Sequence, residues 1–172
     1  LSLVGSEMCI RDSANTALSY AKEGGSITIL NPAPAQPLGE NILKLCDFVT
    51  PNEIEAEQIT GIPVKSVSDA EVAADKLLEK GASAAVITLG EQGALFKDSK
   101  QIIHQPSFQV GPIVETTGAG DAFNGGLAVA LAEEMPIDKA LRFACATASI
   151  SVTRPGTAPS MPDRNEIDTL IT

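Results

Sequence analysis

A chain of 172 residues is long enough for one domain with a sizeable core, and 44% hydrophobic with 20% charged residues is too apolar for a disordered one. Twelve basic against twenty-two acidic residues give a net charge of −10, which argues against a nucleic-acid partner, since phosphate-chain binding needs a basic surface. No run of about eighteen apolar residues occurs, so no membrane span is expected.

Three cysteines (Cys9, Cys46 and Cys145) stand far apart without a CxxC pair. They point to reduced thiols and the cytoplasm rather than to a disulfide framework or a zinc site. His104 is the single histidine and no GxSxG elbow accompanies it, which argues against a Ser-His-Asp triad; His104 is read as structural. With no Trp and 3% aromatic residues, base-stacking platforms are not expected.

Residues 1–13 (LSLVGSEMCIRDS) lack the basic and apolar regions of a signal peptide and read as a foreign leader, with native sequence from about Ala14; a natural loop or strand is the alternative. Residues 14–23 look helical and stop at Gly24-Gly25, and Ile27 to Leu30 form a short β-branched strand. A proline-rich loop (31–37), a short helix and a strand at 47–49 follow. Pro51 stands where a helix can start, and 52–60 continue helically to Gly61. Ser68 or Asp69 can cap a helix running to Lys80, ended by Gly81. Ala84 to Leu89 is an apolar run of buried-strand type. Residues 94–97 and 101–104 read as a hairpin, and a short strand is expected after Pro112. A glycine-rich turn at 118–120 leads into an apolar helix from about Asp121 to Glu133. Asp138 is the expected cap of a helix over 139–152, and a last helix spans about 164–171. Strands alternating with helices imply an α/β fold with a mainly parallel sheet.

The segment Glu115-Thr-Thr-Gly-Ala-Gly-Asp-Ala-Phe-Asn-Gly-Gly126 carries the most chemistry. Gly118 and Gly120 allow a tight turn whose N–H groups, with the following helix dipole, suit the charge on a transferring phosphoryl group. Asp121 then stands in the first helical turn. It is either placed to take a proton from an attacking hydroxyl or is simply a carboxylate stabilising a helix N-terminus. The segment is not a Walker A loop, and Phe123 occupies the third glycine of a dinucleotide fingerprint.

This signature resembles that of the PfkB-type carbohydrate kinases. Asn31-Pro-Ala-Pro-Ala35, Thr50-Pro-Asn-Glu-Ile-Glu-Ala-Glu57, Thr88-Leu-Gly-Glu-Gln-Gly93 and Val152-Thr-Arg-Pro-Gly156 fall in the order and spacing of the family's ribokinase branch. The resemblance covers residues 14–172 and the C-terminal, nucleotide-binding and catalytic part of that domain. It implies a ribokinase-like three-layer fold, truncated on its N-terminal side, and ATP-dependent phosphorylation of a sugar hydroxymethyl group, D-ribose to D-ribose 5-phosphate.

By the same resemblance Asp121 is the general base and also meets the sugar, and Gly118, Ala119 and Gly120 form the anion hole. Asn52 and Glu55 serve the phosphates and the Mg2+ hydration shell, unless they belong to a solvated helical face. Thr88, Leu89, Gly90, Glu91, Gln92 and Gly93, with Gly120, Asp121 and Cys145, meet the nucleotide. The alternatives are a plain βα turn for 88–93 and a packed small residue for Cys145. Glu115, Thr117, Ser151, Arg154, Gly156 and Ser160 match a K+ site, where Glu115 replaces the family's usual Asp. The family's sugar-contacting Asp, Gly-Gly segment and β-rich lid find no counterpart, so this chain alone is expected to be inactive, and the longer protein to dimerise. A kinase of fructose or a deoxy-pentose, and a non-catalytic nucleotide-binding module, are the competing readings.

Overall fold

A computed structural model describes residues 8–34, 38 and 41–172. Residues 1–7 of the expected leader and 35–37 of the proline-rich loop lie outside the described residues. The chain divides into two compact units, one of residues 1–89 and 95–104 and the other of residues 90–94 and 105–172.

The first unit carries helix α1 (Met8–Glu23), strand β1 (Ile29–Leu30), a 3₁₀ turn at Ile42–Leu45, strand β2 (Phe48–Val49), helices α2 (Glu53–Thr60) and α3 (Val67–Glu79), and strand β3 (Ala84–Thr88). The hairpin of β4 (Ala94–Asp98) and β5 (Ile102–Gln105) completes a five-stranded sheet in the order β1-β2-β3-β4-β5. β1, β2 and β3 are parallel, in the register Leu30–Val49–Ala85. Those three side chains join Ile87 in a core closed by Ala56 of α2 and by Ala70, Ala73, Ala74 and Leu77 of α3. The spacing of the α3 residues presents one helical stripe to the sheet. The expected mixed α/β fold with a mainly parallel sheet is therefore present.

Local boundaries differ from expectation where tertiary bonds decide them. α1 starts at Met8 rather than at 14, because nothing between Cys9 and Ser13 breaks a helix. β1 is two residues long, since the Thr28 N–H and hydroxyl turn to the Asp47 carboxylate at 3.0 and 2.9 Å. Ser66, not Ser68 or Asp69, caps α3; its Oγ accepts from the Asp69 N–H at 3.1 Å.

The second unit holds α4 (Ala119–Ala132), α5 (Ile137–Ser151), a 3₁₀ turn at Ala158–Ser160 and α6 (Arg164–Ile171). α4 and α5 pack closely at Gly126, where a Cβ would stand 2.7 Å from Thr147 Oγ1 and 3.1 Å from Ala144 Cα. The strand expected after Pro112 is absent; the Val114 and Glu115 N–H groups both donate to the Val152 carbonyl, holding this stretch as a loop on the end of α5. α4 starts two residues before Asp121, and α5 begins after Pro136 with Asp138 inside its first turn rather than at the cap. α6 spans the expected residues, and Asp163 and Glu166 form its capping box.

Candidate active site

The carboxyl edge of the parallel strands is where open α/β sheets place ligands. In the first unit, Pro51 and Asn52 extend β2 past its last ladder pair. The Thr88 N–H donates to the Pro51 carbonyl at 3.0 Å, and Asn52 bridges Thr88 in parallel register. Asn52 is the N-cap of α2. Its Oδ1 accepts from the Glu55 N–H at 2.8 Å, and Glu55 Oε2 accepts from the Asn52 N–H at 2.9 Å. The i, i+3 pair expected on a helix face is thus a reciprocal capping box at the helix end. Glu55 is buried, and burial pushes its carboxyl above the ordinary glutamate range; the Asn52 N–H opposes the shift and the neighbouring Glu53 charge adds to it.

Leu89 follows with its side chain in the core, so only its backbone can meet a ligand. The chain then enters the second unit at Gly90. Gly93 has φ +91°, and a Cβ there would lie 2.0 Å from the Gln105 carbonyl oxygen, so this glycine is fixed by its turn. Gly90 and Glu91 line a cavity of about 320 Å³ with Phe108, Val110, Ile113 and Ser149. Its size and apolar walls suit a small organic ligand. Ala119 also lines it, whereas Gln92, Gly93 and Cys145 do not. Cys145 is buried and its thiol is pushed up to about 12 by that burial, which leaves a neutral packing group whose Sγ faces the Gln105 carbonyl at 3.9 Å. Sequence reasoning missed the loop at 107–113. Its signal was a set of apolar residues, Phe108, Val110 and Ile113, without any period.

Gly118, at φ +84°, turns the chain into α4. The Ala119 N–H is taken by the Thr116 carbonyl at 3.1 Å, and the first helical bond runs from Ala122 to Gly118 at 2.9 Å. The N–H groups of Gly120 and Asp121 are therefore the free donors of this first turn. Asp121 is exposed, with no hydrogen bond or ion pair among the described residues, and lines a second cavity of about 360 Å³ beside Gly125 and Val129. Buried Asn124 holds the turn from behind, donating from Nδ2 to the Gly120 carbonyl at 2.9 Å.

Of the expected K+ residues, Glu115 and Gly156 meet. Glu115 Oε2 accepts from the Gly156 N–H at 2.7 Å, and this bond with one from Thr117 holds the carboxyl below its usual range. The Arg154 N–H donates to the Ser151 carbonyl, while the Arg154 guanidinium pairs with Glu166. Ser160 is buried and donates to the Thr157 carbonyl. No group of three or more His, Cys, Asp or Glu side chains fit to hold a metal occurs among the described residues, and none of the described helices is long and apolar enough to cross a membrane.

The model of the pfkB family carbohydrate kinases matches residues 4–164. The chain belongs to that family. A ribokinase of Haemophilus influenzae is 44% identical over 152 residues, covering 87% of this chain and 49% of that protein. A deoxyribokinase of Salmonella typhi is 40% identical over 147 residues, covering 85% of this chain and 48% of that protein. The structure of Arabidopsis thaliana ribokinase complexed with ribose and ATP superposes with a TM-score of 0.90 at 31% identity, covering 94% of this chain and 52% of that one. The chain spans about half the length of the curated relatives it matches.

Proposed function

We propose that this chain supplies the nucleotide-binding and catalytic part of an ATP-dependent sugar kinase that converts D-ribose to D-ribose 5-phosphate. The observation that carries the reading is Asp121: an exposed, unpartnered carboxylate in the first turn of α4, beside two N–H groups with no backbone acceptor. The carboxylate takes the proton of the sugar hydroxymethyl group as its oxygen attacks the γ-phosphorus, and the bond to ADP breaks. A base is useful because a sugar hydroxyl is barely ionised near pH 7. Free N–H donors at the turn of Gly118, Ala119 and Gly120 stabilise the charge that grows on the transferring group; with Ala119 engaged, the Gly120 and Asp121 N–H groups do most of this. The cavity lined by Gly90, Glu91 and Phe108 is assigned to the nucleoside.

Mg2+ keeps several waters and binds through one or two carboxylates plus substrate phosphates, and the Asn52 and Glu55 oxygens suit such a site. Glu55, with one carboxylate oxygen on its cap, and Asn52 would hold its hydration shell. When bound there, such an ion would supply positive charge against the charge that develops on the phosphates. The oxygens of Glu115, Thr117, Ser151, Arg154, Gly156 and Ser160 are assigned to a monovalent cation; the lowered Glu115 carboxyl supplies the charge. The 40% identity to a deoxyribokinase supports a 2-deoxy sugar as the second reading.

The test uses this chain joined to the portion of the ribokinases that it does not cover. Asp121→Asn should lower sugar-dependent ADP release by about 10²-fold or more while leaving the affinity for Mg2+-ATP within about twofold. Normal turnover in that variant would refute the base. ATP binding with no turnover on ribose, deoxyribose or fructose would favour a non-catalytic module.

A further inference from the structure

The loop at 107–113 forms one wall of the cavity lined by Gly90 and Glu91, yet it belongs to no helix or strand that would hold it there. Its place is set by side-chain ties, all within the second unit. The Ser107 hydroxyl donates to the Glu91 carbonyl at 2.6 Å, and the Phe108 N–H donates to Ser149 Oγ at 3.1 Å. Glu91 and Ser149 themselves line the cavity, so these two ties close the wall onto its neighbours. A third tie comes from behind: the Arg142 guanidinium lies over the Phe108 ring, 4.8 Å from its centroid.

Arg142 stands on α5 and is half-buried. Arg154 and Arg164 pair with carboxylates, whereas Arg142 forms no ion pair among the described residues, although the chain carries twenty-two acidic residues. Its Nε–H and Nη2–H groups both donate to the Ile171 carbonyl, at 3.4 Å each. That carbonyl belongs to the last turn of α6, whose carbonyls have no donor within the helix, and the negative end of the helix dipole adds to the attraction. Phe108 lines the cavity and Arg142 does not, so the ring face that Arg142 covers is turned away from the cavity. A ligand in the cavity therefore meets a ring already backed by a cation that α6 holds in place.

We propose, resting on the nucleoside reading of this cavity given above, that Arg142 is a positioning residue: anchored on the end of α6, it fixes the Phe108 ring as a wall against the base of the nucleotide. An aromatic base has a π face that a fixed ring can pack against. A wall held in place beforehand also spares the entropy of ordering it when the ligand arrives. The phosphates, which that reading puts at the turn before α4, gain nothing from this wall.

The test is calorimetric titration of the 172-residue chain with Mg2+-ATP and with Mg2+-tripolyphosphate, which carries the phosphates without the nucleoside. Arg142→Met keeps an unbranched apolar stem and removes the cation and its donors. It should weaken ATP binding about tenfold and leave tripolyphosphate within about twofold. Arg142→Lys keeps a cation without the planar fork and should weaken ATP by only about threefold; it also decides the matter if the methionine variant does not fold. In a double-mutant cycle with Phe108→Leu, the second change should cost ATP little once the first is made, and this cycle decides alone where tripolyphosphate binds too weakly to read. Unchanged ATP binding would overturn the proposal, as would additive losses in the cycle. So would equal weakening for ATP and tripolyphosphate, which would show a merely structural role. A wild-type chain that binds tripolyphosphate as tightly as ATP would instead remove the nucleoside from this cavity, and this inference with it.

Discussion

The carboxyl edge of β2 and the amino end of α4 are two solutions to the same problem, the unsatisfied N–H groups of a helix start. At α2 the sequence supplies Asn52 and Glu55, and each side chain closes on the other's backbone. At α4 it supplies Gly118, Ala119 and Gly120, which have no polar side chain to cap the helix, and Asp121 is left open to solvent. The first end is a scaffold already held by its own bonds. The second leaves two backbone N–H groups and an exposed carboxylate without partners among the described residues. Fixed dipoles of this kind can stabilise charge in a transition state without reorganising, which is the role proposed for them above. The contrast is why the proposed base and anion hole are placed at α4, and only the cation's hydration shell at the self-capped end of α2.

Three changes sharpen or break this contrast. The largest effect is expected at Gly93, which the resemblance places among nucleotide-binding residues and the structure places in a turn closed against Gln105. Gly93→Ala should destabilise the ligand-free protein by about 2–3 kcal/mol, measured by urea unfolding, because both the positive φ and the 2.0 Å approach forbid a Cβ. Unchanged stability with lost ATP binding would return Gly93 to a direct ligand role. Asn52→Ala should cost about 1 kcal/mol in the same experiment, through the lost cap of α2. An equal loss in Asp121→Asn would show that the α4 end is a scaffold too.

The smallest effect is a pH dependence at Glu55. Its folded-state carboxyl lies above the unfolded range, so between the two values the folded protein binds more protons. Glu55 therefore favours the folded state increasingly as pH falls through that window, and the benefit is lost as pH rises through the folded pKa. Glu55→Gln keeps an acceptor for the Asn52 N–H and removes the charge. Its Tm relative to wild type should rise from pH 4 to pH 7. A constant difference across that range would mean that burial does not act on this carboxylate.

The order of elements was legible because glycines and prolines punctuate it: Gly24-Gly25, Pro51, Gly61 and Gly81 each sit at an element boundary in the structure. The family was legible from motifs in register. What escaped was decided by tertiary bonding. Ser66, Ser68 and Asp69 are all competent caps by type, and Ser66 takes the place because its Oγ accepts from the Asp69 N–H, which sequence type alone does not show. Residues 107–114 carry β-type side chains, yet the Val114 and Glu115 N–H groups find Val152 and the Phe108 N–H finds Ser149 Oγ, so a loop forms instead of a strand. The Asn52 and Glu55 pair is visible as a motif, but its spacing does not by itself distinguish a helix face from the reciprocal cap that forms. Asn31 belongs to a motif, and its type and position do not show that its amide oxygen is buried without a partner.

The measurement that tests the central claim most directly is coupled ADP release with Mg2+-ATP and D-ribose, with and without K+. It is made on this chain and on the chain joined to the portion of the ribokinases that it does not cover. The account predicts ribose-dependent ADP release in the joined protein, strengthened by K+, and none from the chain alone. A folded joined protein that binds Mg2+-ATP but releases no ADP with ribose or 2-deoxyribose would contradict it.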